Sequence, residues 1–147
     1  MQTKITVVKP EIPEVLEIRC HRIGDEVREI IAFVKSRQGQ FTGYSDDAQY
    51  EIAVGDIFYF ESLDNKTFLY TESNVYEIKQ KLYELEEMLA EKHFLRVSKS
   101  ALLNLMKVSA IRPAFNSRFI AVLFSGEQVV ITRKYVPALK QALKGDK

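Results

Sequence analysis

What most limits the fold of this chain is how often it must turn. Between Gln49 and Thr132, turn-forming residues recur at Gly55-Asp56, Asp64-Asn65-Lys66, Glu72-Ser73-Asn74, Asn116-Ser117-Arg118 and Ser125-Gly126-Glu127. Gly, Asn and Asp tolerate the backbone that tight hairpins need, so each cluster reverses the chain. The runs between them are short and rich in aromatic and β-branched residues: Tyr50, Ile52 and Val54, then Ile57 to Phe60, then Phe68 to Tyr70, then Val75, Tyr76 and Ile78. Val108 to Arg112, Phe119 to Phe124 and Gln128 to Thr132 repeat the pattern. Runs of that length and alternation predict antiparallel strands.

The period changes in three places. After Gly24, Val27, Ile30, Ile31 and Val34 recur at helical spacing with Asp25, Glu26, Arg28, Glu29 and Lys35 mostly on the other face; Gly39 and Gly43 are expected to end this helix and open a loop. From Lys79 to Glu91, Ile78, Leu82, Leu85 and Leu89 make one face and Glu84, Glu86, Glu87 and Glu91 the other. That acidic side would repel a polyanion, so the second helix is expected behind any anion-binding surface. Val136, Leu139 and Leu143 mark a third helix, with Pro137 in its first turn and Lys140, Lys144 and Gly145 near its end. Ahead of all three, Lys4 to Val8 and Val15 to Cys20, parted by Pro10 and Pro13, predict two strands around a rigid connection. The expected class is α+β, mainly β. Residues 1–45 form a small βα extension whose apolar stripe packs internally or faces a dimer mate, and residues 46–147 form one domain.

Net charge is +1, but its distribution is uneven. His93 to Lys147 holds ten Lys and Arg against two Asp and Glu, a net of +8, while Met1 to Lys92 holds eleven against eighteen, a net of −7. Segregation of that size points the carboxyl-terminal part toward an anionic partner. No apolar run is long enough to span a bilayer, and Met1-Gln2-Thr3-Lys4-Ile5 lacks the core of a secretory signal. The single Cys20 excludes an internal disulfide and reads as a small core residue, so a cytoplasmic setting is expected. Catalysis finds no constellation, because Ser98 and Ser100 near His93 lack an acid or a nucleophile turn. His21 and His93 make no metal site, and no glycine-rich nucleotide loop occurs. No enzymatic activity, cofactor, metal or small-molecule substrate is expected.

The stretch from Phe94 to Leu105 is different. Phe94, Leu95, Val97, Leu102, Leu103 and Leu105 can anchor a strand and a turn, leaving Arg96, Ser98, Lys99, Ser100 and Asn104 to face solvent without an intervening carboxylate. Such side chains suit phosphate. About thirty residues on, Arg133-Lys134-Tyr135 adds a second basic cluster. Arg133 is the first choice for a base contact, since a guanidinium matches the O6 and N7 acceptors of guanine; Lys99 is the second. Lys66, Arg96, Lys134, Arg118 and the Ser98 and Ser100 hydroxyls suit phosphate positioning. Arg96 has another reading, orienting the loop through a carboxylate such as Glu61, while Asn104 and Tyr135 are better read as capping and packing the turns. The runner-up function is a protein-interaction or anti-regulator module whose basic face docks an acidic partner. An RNA-binding β platform comes third, because the aromatics alternate into strand interiors.

Together these blocks resemble the LytTR DNA-binding domain. The resemblance rests on Phe94-Leu95-Arg96-Val97-Ser98-Lys99-Ser100, Asn104, the turns at Asn116 to Arg118 and Ser125 to Glu127, and Thr132-Arg133-Lys134-Tyr135. Gly55 to Ser62 is similar to that family's first strong block, and Leu82-x-x-Leu85-Glu86 to the helix before its F-x-R-x-x-x-S motif. The resemblance spans roughly Asp46 to Lys147. It implies LytTR-type antiparallel β-sheets with short helices, whose loops enter successive major grooves of double-stranded DNA, in a bacterial regulator of transcription. It puts the base-contacting loops at Lys66 and Thr67, at Ser98, Lys99 and Ser100, and at Arg133 and Lys134. The sequence departs from the family pattern at Ser98, Lys99 and Thr132, positions that bear on base preference. The first 45 residues are too few for a phosphoacceptor receiver and resemble standalone members, which implies a small membrane-protein inhibitor; the extension is further expected to build a homodimer whose two basic faces read paired half-sites.

Overall fold

The computed structural model describes residues 1–145; Asp146 and Lys147, at the end of the expected domain, lie outside the described residues. In chain order the elements are α1 (Asp25–Arg37), β1 (Gln40–Ser45), β2 (Ala48–Ala53), β3 (Tyr59–Leu63), β4 (Lys66–Tyr70), β5 (Val75–Ile78), α2 (Leu82–Met88), β6 (Phe94–Ser98) and β7 (Ala101–Asn104). Then come β8 (Val108–Pro113), β9 (Phe119–Leu123), β10 (Gln128–Ile131) and α3 (Val136–Gly145). The strands form two antiparallel sheets, ordered β2-β1-β5-β4-β3-β7-β6 and β10-β9-β8. Asp46-Asp47 and Asp64-Asn65 make two-residue hairpin loops, and all four residues have φ between 49° and 64°. Asp and Asn carry that left-handed backbone more readily than bulkier residues, which is why these letters stand there.

The register of β3 against β7 explains why Ile57 to Phe60 and Ala101 to Leu103 read as unbroken apolar runs. Phe60 pairs with Leu102 and Tyr59 with Leu103, and successive residues of a strand point to opposite faces. Phe60 and Leu102 join Phe41, Leu69, Ile78 and the α2 residues Leu82 and Leu85 in one core. Tyr59 and Leu103 join Val97, Ala121, Leu123, Ile131 and the α3 residues Val136 and Leu139 in another. The larger sheet is therefore filled on both faces, by α2 on one and by the smaller sheet with α3 on the other. A strand buried on both sides loses the polar alternation of a half-exposed one.

The mainly β class, the three helices and the strands after Gln49 are as expected, while four local expectations are corrected. Gly43 does not open a loop but lies buried in the middle of β1, where a Cβ would come within 2.7 Å of Ile52 Cδ1 and of Tyr76 Cβ. Only a glycine lets those neighbours approach, and β1 thus enters the sheet from the amino-terminal side of residue 45. Ile78 closes β5 and does not begin a helix, so α2 is shorter than its apolar period suggests; Lys81 N donates to Glu84 Oε1 at 2.9 Å and fixes where it starts. Cys20 is exposed, not a core residue. Finally, Lys4 to Val8 and Val15 to Cys20 form no strand, and Ile5 and Val7 are 92% and 93% exposed. The turn closed by Ile12 N to Lys9 O (2.9 Å) would set Pro13 opposite Val8, and a proline has no N–H for the ladder.

Candidate nucleic-acid interface

Two backbone tethers gather loops that are distant in sequence. Ser62 N donates to Ser100 O at 2.8 Å, tying the end of β3 to the β6–β7 turn. Thr132 N donates to Val97 O at 2.9 Å, and the Thr132 hydroxyl reaches the same carbonyl at 3.3 Å, tying the segment after β10 to β6. Lys66 and Lys99 are exposed and line one open groove of about 430 Å³ together with Arg96, Lys81 and Tyr83. Arg133 and Lys134 stand exposed on a single 3-10 turn directly after the Thr132 tether, with Lys134 Nζ 5.6 Å from the centre of the Tyr135 ring. Arg118 precedes Phe119, which pairs with Ile131, so its turn lies at the end of the smaller sheet from which Arg133 departs. Lys140 of α3 lies 5.8 Å from the Phe119 ring centre, adding a cation at that end.

The β6–β7 turn is shaped by Arg96. Its Nε donates to Ser98 O at 2.8 Å, its Nη2 to Lys99 O, and its Nη1 to Glu86 Oε1 at 3.0 Å. All three guanidinium nitrogens are thus engaged within the chain. Of the two readings open for Arg96, this geometry is that of loop orientation, with Glu86 as the carboxylate; Glu61 instead accepts from the Tyr70 hydroxyl at 2.9 Å. Ser98 Oγ accepts from Ser100 N at 3.2 Å and lies 3.4 Å from Ser100 Oγ, closing the turn beneath Lys99. The register shift between Arg96 and Ser98 is a β-bulge, a device that re-aims side chains at the end of a strand.

Three site expectations change on this geometry. Thr67 is only 3% exposed, with its backbone paired to Ser62 and Ile78, so its side chain is not free to reach a ligand as Lys66 is. Asn104, read first as solvent-facing, is 3% exposed: its Nδ2 donates to Ile57 O at 2.8 Å and its Oδ1 accepts from Met106 N at 3.0 Å, the capping role that was its alternative. α2 does not lie wholly behind the basic surface, because Lys81, Leu82 and Tyr83 at its start line the groove and Glu86 holds Arg96. Sequence reasoning misses Lys81, whose Nζ donates to Asn65 O at 3.3 Å, and Phe115, 91% exposed in the Arg118 turn. Beginning the acidic helix at Leu82 would have separated Lys81 from it.

A latch ties the start of β3 in the larger sheet to the β9–β10 turn of the smaller one. Tyr59 and Tyr70 stack with ring centres 4.2 Å apart, and the Tyr59 hydroxyl donates to Glu127 Oε2 at 2.9 Å. Burial, then the Glu61 carboxylate, pushes Tyr70 up to about 12, and burial, then Glu127, pushes Tyr59 higher still. Both phenols therefore remain protonated donors at neutral pH.

The sheets, the gathered loops and their cations define a DNA-binding domain, and the chain belongs to the LytTR DNA-binding domain family, which it matches over residues 47–144. It is 26% identical over 145 residues to an uncharacterized HTH-type transcriptional regulator of Staphylococcus aureus strain MSSA476, covering 97% of this chain and 98% of that protein. It is 25% identical over 147 residues to the sensory transduction protein LytT of Enterococcus faecalis strain ATCC 700802 / V583, covering 97% of this chain and 61% of that one. Among solved structures, it is similar to the LytTr DNA-binding domain of a Bacillus cereus protein described as a methyl-accepting/DNA response regulator. The TM-score is 0.68 at 26% identity, over 71% of this chain and 96% of that chain.

Proposed function

We propose that this chain is a cytoplasmic transcriptional regulator that reads double-stranded DNA through major-groove loops. Arg133 makes a base contact, Lys99 a second, and Lys66, Lys134, Arg118 and the Ser98 and Ser100 hydroxyls position phosphates; Arg96 acts through the turn that it shapes. The reading is carried by one observation: the Ser62–Ser100 and Thr132–Val97 tethers bring Lys66, Lys99 and Arg133 from three separate loops to one end of the molecule. A loop-based reader also fits the order of elements, in which five strands separate α1 from α2 and no two helices are joined by a short turn among the described residues. The proposal includes a homodimer held through residues 1–45 that reads paired half-sites.

Selection of bound fragments from random duplex DNA at two salt concentrations tests it. The expected result is an enriched paired motif whose affinity falls steeply with salt, by about one unit of slope per phosphate-contacting cation. Arg133→Ala is expected to relax preference at one base pair and cost about 1–3 kcal/mol. No enrichment over random sequence at either salt concentration overturns sequence-specific reading. Equal weakening on all sequences moves Arg133 to the phosphate set.

A further inference from the structure

Residues 4–9 and 14–19 complement one another, yet a single copy does not pair them. Paired antiparallel with Lys4 opposite Arg19, they would set Ile5 against Ile18, Val7 against Leu16 and Val8 against Val15, with Lys9 meeting Glu14 at the end. Ile5, Val7, Leu16 and Ile18 then fall on one face, because side chains alternate along a strand. Lys4, Thr6, Glu17 and Arg19, together with Val8 and Val15, fall on the other, where Arg19 Nε already lies 3.4 Å from Glu17 Oε2. A slip of one residue puts Val7 against Glu17, or Ile5 against Glu17, so apolar matching selects this register. Within one chain this register is not taken up. The Lys9–Ile12 turn leads into a pairing two residues out of step, with Val7 against Glu14 and with Pro13 at the first ladder position. In the structure Val7, Val15 and Leu16 are accordingly 93%, 82% and 69% exposed.

We infer that these segments pair between two copies of the chain, residues 4–9 of each with residues 14–19 of the other. The exchange is reciprocal, so one two-fold axis satisfies both pairings and leaves neither segment over. Each pairing brings Lys9 to Glu14 at one end, sets Lys4 and Arg19 about Glu17 at the other, and gives the apolar residues cover that they lack in a single copy. The inference rests on the homodimer reading above and names its contact: strand exchange ahead of α1, leaving the basic loops of both copies uncovered.

Cysteine pairing in the full chain tests it. In a Cys20→Ser background, chains carrying Val7→Cys and Leu16→Cys alone are co-expressed, mildly oxidised and separated without reductant, since residues directly opposite in a ladder approach closely enough to bridge. The expected main product is a linked heterodimer, with none from Val7→Cys beside Glu17→Cys. A sedimenting dimer in which the Val7→Cys/Leu16→Cys double variant bridges only within one chain overturns the exchange but keeps the homodimer. A monomer at every concentration overturns both.

Discussion

Lys4 to Lys9 and Phe94 to Ser98 have similar strand-forming letters and opposite fates, for Val7 is 93% exposed and Val97 is fully buried. The difference lies in the chain that each segment runs into. β6 turns through Lys99 and Ser100 into β7, whose residues are all buried and which pairs on its far side with β3. Residues 4–9 run instead into Pro10 and Pro13, with no sheet edge of their own chain in register. A strand is stabilised by its cross-strand pairs and by burial, not by its own propensity. Alternation therefore nominates a strand, and a neighbour decides whether it forms.

The largest expected effect tests that contrast directly. Leu102→Ala, at a fully buried site facing the α2 core, is expected to cost about 2–5 kcal/mol in chemical denaturation. Val7→Ala, at a concentration where the chain sediments as a monomer, is expected to change stability by under about 0.5 kcal/mol. Comparable losses would show residues 4–9 packed within one copy, and the contrast would fail.

Next in size is a pair of polar changes that compare a residue serving the fold with one serving the loop. Asn104→Ala leaves Ile57 O and Met106 N without their partner inside the protein, and is expected to cost about 1–3 kcal/mol of stability. Arg96→Ala releases Ser98 O, Lys99 O and Glu86 together. It is expected to weaken binding to every DNA sequence alike while the unfolding midpoint moves less than for Asn104→Ala. A base-specific loss, read by repeating the fragment selection with the variant, would mean that Arg96 itself touches bases.

Those residues also mark how far the letters reach. Hairpins announced by Asp64-Asn65 and Ser125-Gly126, and the doubly buried start of β3, are legible because turn chemistry and apolar runs are local properties. The gathering of Lys66, Lys99 and Arg133 is implied in sequence only by the family resemblance, since the tethers that produce it end on backbone carbonyls, and the one side chain in them, the Thr132 hydroxyl, does not name its acceptor in the letters. Thr67 and Asn104 mislead because a polar letter in a strand does not reveal which face it takes. Gly43 reads as loop because the close approach of Ile52 and Tyr76 comes from two other strands.

The tyrosine latch offers a smaller, pH-dependent test, in which Tyr70 of β4 bonds Glu61 of β3 within the larger sheet. Tyr70 rises from its ordinary 10.0 to about 12, so the folded chain holds this proton more tightly than the unfolded one. Its contribution is complete below pH 10 and is lost as pH climbs from about 10 toward 12. Tyr70→Phe keeps the stacked ring, loses the bond to Glu61, and is expected to cost about 1 kcal/mol at pH 7. The gap between the two chains, measured by denaturation at pH 8 and pH 11, is expected to narrow at the higher value. A constant gap would place the Tyr70 hydroxyl outside the latch.

The smallest expected effect lies where the exposed amino-terminal segment meets the sheet. Lys35 of α1 reaches Thr42 Oγ1 at 3.2 Å and Glu51 Oε1 at 2.7 Å, while Thr42 donates to Glu51 Oε2 at 2.8 Å. Burial works against the Glu51 charge, but the hydrogen bonds from Lys35 and Thr42 and the Lys35 charge outweigh it and hold the carboxyl below its usual value. A folded pKa lowered in this way stabilises the chain above the ordinary glutamate range, and that contribution is lost as pH falls through the lower value. Glu51→Gln is expected to cost about 0.2–1 kcal/mol at pH 7 and less as pH falls below the ordinary glutamate range, with faster amide exchange in α1 at neutral pH and unchanged exchange in β3 and β7. Faster exchange in β3 as well would make α1 part of the same cooperative unit as the DNA-binding sheets, and the division between the two regions would then lie ahead of Asp25.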